Sequence, residues 1–149
     1  MHLWRLVAGK HAATAMSGEG AALFGGRWNP PGRRVVYTAD SLALATVELS
    51  VHIAGGRVKY LAIQFEIADE LVDTLEVTGL KRSWANSEAG TRRVGEAWLD
   101  SRRSVALSVP SALVDPRSGE RNVLLNPSHP AAASLRELQR FDVVLDERL

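Results

Sequence analysis

The chain has 149 residues, 46% of them apolar and 23% charged, with a net charge of +1. That length suits one domain with a real core, and the composition excludes a disordered chain and a protein coated by nucleic acid, whose affinity needs a basic excess. Cysteine is absent, which excludes disulfides, a thiol nucleophile and a sulfur-ligated metal.

The N-terminus reads Met1-His2-Leu3-Trp4-Arg5-Leu6-Val7, with no apolar core of signal-peptide length behind it. No stretch approaches the roughly 20 apolar residues of a membrane span, so a soluble, cytoplasmic protein is expected. Neither an internal repeat nor a linker divides the chain, and residues 1–149 are expected to form a single domain. His2 to Val7 reads as a first strand, followed by a Gly- and Ala-rich stretch through Gly26. Pro30-Pro31-Gly32 is a turn signal, because proline presets φ and glycine tolerates positive φ. Val35 to Ala39, β-branched and aromatic, reads as a buried strand. Asp40 or Ser41 caps a helix that runs to about Ile53 and is closed by Gly55-Gly56. This helix is apolar on nearly every face, the pattern of an interior helix. Leu61, Ile63, Phe65 and Ile67 alternate with Ala62, Gln64 and Glu66, the period of a half-buried strand. A helix over Gly90 to Asp100 carries Trp98; a strand through Val105, Leu107 and Val109 ends at Pro110-Ser111. Val123 to Leu125 is a short strand, Ala131 to Gln139 a helix, and Phe141 to Leu145 a last strand. Strands and helices do not alternate as in a doubly wound sheet, so the expected class is α+β, a mixed β core with flanking helices.

The histidines, His2, His11, His52 and His129, are widely separated and show no metal-ligand spacing; metal-free chemistry is expected. The glycine-rich segments match neither the dinucleotide fingerprint nor the phosphate loop. The basic pairs Arg33-Arg34, Lys81-Arg82, Arg92-Arg93 and Arg102-Arg103 are scattered and offset by acids, which reads as solvated surface without direct nucleic-acid binding. Glu48 is the one charged side chain in its apolar helix. Burying a carboxylate without partners costs several kcal/mol, so Glu48 either pairs inside, faces a cavity or reaches solvent at the helix edge. Arg27 is its natural candidate partner: two glycines precede it, Trp28-Asn29-Pro30-Pro31 stiffen the chain on its other side, and its fork suits a pyrophosphate or carboxylate. Capping a turn is the other reading of Arg27. Ser111, fixed behind Pro110 at a strand end, is a hydrogen-bond donor to a ligand or a turn-stabilising serine; no elbow motif or histidine partner makes it a nucleophile. Asn126-Pro127-Ser128-His129-Pro130 reads as a rigid loop presenting several donors.

Taken together, these segments resemble the RES domain, a family named for an arginine, a glutamate and a serine. The matching stretches are Gly25-Gly26-Arg27-Trp28-Asn29 with Gly32, Val36-Tyr37-Thr38-Ala39, and Ser41 to Ala45 with Glu48. Gly95-Glu96-Ala97-Trp98-Leu99, Val109-Pro110-Ser111 and Asn122 to Pro130 follow in the family's order, while Asp115 to Glu120 departs from it. The resemblance implies a fold similar to the mono-ADP-ribosyltransferase core and a toxin of a toxin–antitoxin pair that breaks the nicotinamide–ribose bond of NAD⁺. Phosphorolysis, hydrolysis and ADP-ribosylation of a protein are the activities it implies; a non-catalytic interaction module is the reading of another class. The implied partner is an Xre-type antitoxin with a DNA-binding helix-turn-helix, and a homodimer within that complex is an arrangement it allows. By the same resemblance, Arg27 would hold a phosphate of the NAD⁺, and Tyr37 or Trp28 would pack beside the nicotinamide. Glu48 would bond the ribose hydroxyls and stabilise positive charge at the anomeric carbon. Ser111 and Asn126 would orient the cofactor, and Arg5, on the first strand, would touch a phosphate.

Overall fold

The computed structural model describes residues 1–53, 57–146 and 148–149. Its strands are β1 (His2–Ala8), β2 (Val36–Ala39), β3 (Lys59–Glu66), β4 (Val72–Thr74), β5 (Ala106–Pro110), β6 (Arg121–Leu125) and β7 (Arg136–Val144); its helices are α1 (Glu19–Phe24), α2 (Leu42–Ser50) and α3 (Glu88–Ser101). They form one seven-stranded sheet in the order β4-β5-β6-β2-β1-β3-β7. Only β4 and β5 pair in parallel; the other pairings are antiparallel. The α+β class with a mixed sheet is what the sequence pattern predicts.

Both faces of the sheet are covered. On one, Leu3, Val7, Val36, Ile63, Phe65 and Val123 pack together with Ala15 and the segment from Ala131 to Leu135. On the other, α2 sets Leu44 and Ala45 against Ala39, Leu6 and Ala62, while α3 sets Trp98 and Leu99 against Leu107, Val109, Leu124 and the buried Trp28. This double covering corrects the half-buried reading of β3. Ala62, expected to face solvent, is fully buried beneath the α2 group.

Two further expectations are corrected. The helix over Ala131 to Gln139 is instead a 3₁₀ turn over Pro130–Ser134 followed by β7. β7 pairs with β3 from Lys59↔Val144 to Glu66↔Arg136, with a register shift between Gln64 and Phe65; that ladder claims Arg136 to Gln139 and leaves the three alanines a single 3₁₀ turn. Helix α2 is not interior all round: it ends at Ser50, and Val47 and Val51 are exposed on its outer side. Its predicted closing pair, Gly55-Gly56, lies outside the described residues.

Candidate active site

Helix α2 begins where Ser41 Oγ accepts the Leu44 N–H at 3.0 Å, a capping bond that satisfies one of the helix's free donors. Two turns on, Glu48 Oε1 accepts two short hydrogen bonds, from Ser111 Oγ and Asn122 Nδ2, each 2.6 Å. Ser111 is 2% exposed. It sits behind Pro110 at the end of β5, where its Oγ also accepts the N–H groups of Leu113 at 3.0 Å and Val114 at 3.2 Å. The hydroxyl thus stabilises the turn, as one reading of this serine has it, and gives its proton to Glu48. Asn122 is placed by sheet register, opposite Ala39 on one side and Val109 on the other. Glu48 Oε2 makes no hydrogen bond with any described residue.

Glu48 is therefore held by two neutral donors, and the expected pairing with Arg27 is corrected. No ion pair or hydrogen bond joins them among the described residues. Asn122 was not among the predicted site residues. Its signal is an amide opening the otherwise apolar strand Val123-Leu124-Leu125, but only the register brings it under α2.

The Gly25–Asn29 loop is built around Asn29, which is fully buried. Its Nδ2 donates to the carbonyls of Ala21 at 2.9 Å, Arg33 at 3.0 Å and Pro30 at 3.1 Å. Tyr37 donates its hydroxyl proton to Asn29 Oδ1 at 2.6 Å and accepts the Trp28 N–H at 3.0 Å. A methyl on Gly26 would come within 2.5 Å of that hydroxyl, and one on Gly95 within 1.7 Å of the Trp28 carbonyl. These glycines therefore let the loop close on Tyr37 and α3 dock on the loop. Gly25 has φ +73, the left-handed region that glycine enters without cost. Burial pushes the Tyr37 phenol up from 10.0 to about 12, against the backbone N–H and the charges of Arg92 and Arg27 nearby.

Arg27 projects from this loop half-buried, its Nη1 donating to the Ala85 carbonyl at 2.9 Å. Its Nε and Nη2 make no hydrogen bond with the described residues. Arg92, read as solvated surface from sequence, instead donates Nε to the Gly26 carbonyl at 2.8 Å and sets a second cation beside the same loop. Trp28 is 2% exposed and packs its ring near that of Trp84, with centroids 5.9 Å apart; it is a core residue and has no open face for a ligand.

Two other predicted contacts stand apart from Glu48. Arg5 leaves β1 on the face of Leu3 and Val7, and its guanidinium donates to the carbonyls of Ala15 at 2.6 Å and Tyr37 at 2.7 Å. Burial lowers it from 12.5 to about 10, so it keeps its charge at neutral pH. Asn126 follows β6 at the end opposite Asn122, four residues or roughly 13 Å along the strand. Tyr37, in contrast, shares Asn122's face of the sheet, because its own strand neighbour Ala39 pairs with Asn122. The structure thus gathers Glu48, Ser111 and Asn122 in one cluster, and Arg27, Tyr37, Asn29 and Arg92 in a second on the same covered face.

Residues 2–146 match the model of the RES domain. The chain is 34% identical to a protein named Toxin Res from Photorhabdus laumondii over 154 aligned positions, covering 100% of this chain and 97% of that one. It is 35% identical to a Toxin Res from Yersinia enterocolitica, covering 100% and 99%. To a Prs ADP-ribosylating toxin from a Sphingobium species the identity is 37%, covering 98% and 94%.

Proposed function

The chain belongs to the RES domain family, and from that membership we propose that it is the toxin of a toxin–antitoxin pair, acting on NAD⁺ by breaking the nicotinamide–ribose bond. The observation that carries this reading is the state of Glu48. Oε1 is fixed by Ser111 and Asn122, while Oε2 has no partner among the described residues, which supports a role towards a substrate.

In the proposed reaction the C1″–N bond breaks and its electron pair returns to the pyridinium ring, which departs as neutral nicotinamide. Because that leaving group is already cationic, no strong acid is required. The ribose carbon acquires oxocarbenium character, and a fixed carboxylate nearby stabilises it electrostatically, as in glycoside hydrolysis. Oε2 would accept a hydrogen bond from a ribose hydroxyl and, still ionised, lend its charge to that carbon. Preorganisation matters here: two neutral donors hold the carboxylate in place without cancelling its charge. Arg27, with two nitrogens uncommitted and Arg92 beside it, would grip the pyrophosphate. Tyr37, protonated far above neutral pH, would line the site as a neutral phenol. A phosphate oxygen or a water oxygen then bonds the ribose carbon, and an attacking water gives up its proton to solvent.

Transfer to a protein side chain is the second reading, and the similarity to a toxin named for ADP-ribosylation favours it. Mass spectrometry of the products separates the outcomes. ADP-ribose 1″-phosphate or free ADP-ribose supports NAD⁺ degradation, a modified protein supports transfer, and intact NAD⁺ under all conditions overturns both. The proposed partner is an Xre-type antitoxin. Growth arrest on expression, relieved by the neighbouring gene, is the expected result.

A further inference from the structure

The loop after β6, Asn126 to Pro130, takes no part in the Glu48 cluster. With the end of α3 and the residues before β2 it lines an open pocket of about 310 Å³, whose polar lining is Arg33, Arg34, Asp100, Arg102, Asn126 and Ser128. That volume is at the small end of ligand sites.

Arg102 caps α3 with φ 50, the one non-glycine residue with positive φ among the described residues. Glycine is the usual occupant of such a left-handed helix end, and a strained residue kept in its place points to a use for its side chain. The loop reinforces the strained backbone. His129 Nδ1 accepts the Ala131 N–H at 3.0 Å, which leaves the proton on Nε2 to be donated to the Arg102 carbonyl at 3.1 Å.

Asn126 is the second observation. It is 7% exposed, and its Oδ1 accepts the Ser128 N–H at 3.0 Å. Its Nδ2 has no acceptor among the described residues and is open to the pocket rather than sealed in the protein. Charge is the third. Arg33 is neutralised by Asp100 at 2.8 Å and Glu96 at 3.4 Å. Arg34 gives one nitrogen to the Ser17 carbonyl at 3.2 Å, and neither it nor Arg102 has a carboxylate partner among the described residues. The groups open to the pocket are thus the exposed guanidinium groups of Arg34 and Arg102 and an amide N–H. A ligand that satisfies them carries acceptors only and about two negative charges.

We propose that this cavity binds the phosphate group of a small phosphorylated ligand, at the end of the sheet opposite Glu48 and independently of the NAD⁺ reaction. The test is a titration of the ¹⁵N-labelled protein with inorganic phosphate and, separately, with AMP, at constant ionic strength. Saturable shifts at Arg102, Asn126 and Ser128 are expected with both probes. Tenfold tighter binding of AMP identifies a phosphate ester as the ligand; equal binding identifies the phosphate group alone. Arg102→Gly removes the strain, so its Tm is expected to rise by about 3 °C, while phosphate binding weakens at least tenfold through loss of a charge-assisted contact. Asn126→Ala is expected to weaken binding as well, and Glu48→Gln to leave it unchanged. Absence of saturable shifts at these residues, shifts confined to Arg27 and Tyr37, or unchanged affinity in a folded Arg102→Gly protein overturns the proposal.

Discussion

The Gly25–Asn29 loop and the Glu48 cluster share one face of the sheet but use their polar groups in opposite ways. In the loop nearly every donor and acceptor turns inward. Asn29 is fully buried and bonds three carbonyls, and Tyr37 closes the circuit through its hydroxyl. At Glu48 two donors converge on a single carboxylate oxygen, and the other has no partner among the described residues. The loop is a rigid mount from which Arg27 projects; the cluster is a preorganised charge. Loss of the mount should therefore appear first as lost stability, and loss of the cluster as lost turnover in a folded protein.

The sharpest way to break this contrast is at Gly95. A methyl there meets the Trp28 carbonyl at 1.7 Å, backbone that cannot rotate away, so Gly95→Ala is expected to destabilise the fold by about 3 kcal/mol. Urea denaturation measures it, and a stability within about 0.5 kcal/mol of the parent, the range of a neutral surface change, would show that α3 does not lock the loop. Next in size are the two donors to Glu48. Ser111→Ala and Asn122→Ala are each expected to lower kcat about tenfold, a loss of about 1.4 kcal/mol, with KM for NAD⁺ nearly unchanged. Because they restrain the same oxygen, the double variant should lose less than the product of the two. Strictly multiplicative losses would contradict a shared role.

Tyr37→Phe acts on stability rather than on turnover. It strands Asn29 Oδ1 and the Trp28 N–H, at a cost of about 1–2 kcal/mol in stability. The parent has a pH signature as well. The folded-state phenol is raised to about 12 from an ordinary 10.0, so its contribution is fully present below pH 10 and is lost as the pH climbs towards 12. Phenylalanine should remove that part of the alkaline decline, and identical curves for the two proteins would show that the buried hydroxyl does not couple to folding.

Much of this was legible in the residues themselves. Ser41 does cap α2, the alternation from Leu61 to Ile67 does mark a strand, and the lone carboxylate of the apolar helix does find hydrogen-bond partners inside. What escaped depends on contacts between distant segments. Strand β4 is three residues long and exists because it pairs with β5. Strand β7 overrides an alanine-rich helical pattern through its ladder with β3. The partner of Glu48 looked like a cation because charge compensation is the simplest remedy for a buried carboxylate. Register supplied a neutral amide instead, 74 positions away. Trp28, beside the conspicuous arginine, looked available to a ligand, yet the loop turns it into the core.

Glu48, held at one oxygen and with no partner at the other among the described residues, is the group on which the proposed NAD⁺ chemistry rests. Nicotinamide release from NAD⁺ by the parent and by Glu48→Gln, followed by NMR after both proteins are shown to be equally folded, tests it most directly. A loss of about 10²–10³-fold in rate is expected, the magnitude typical of removing one preorganised electrostatic group. Parent-like release by the folded glutamine variant would contradict that role.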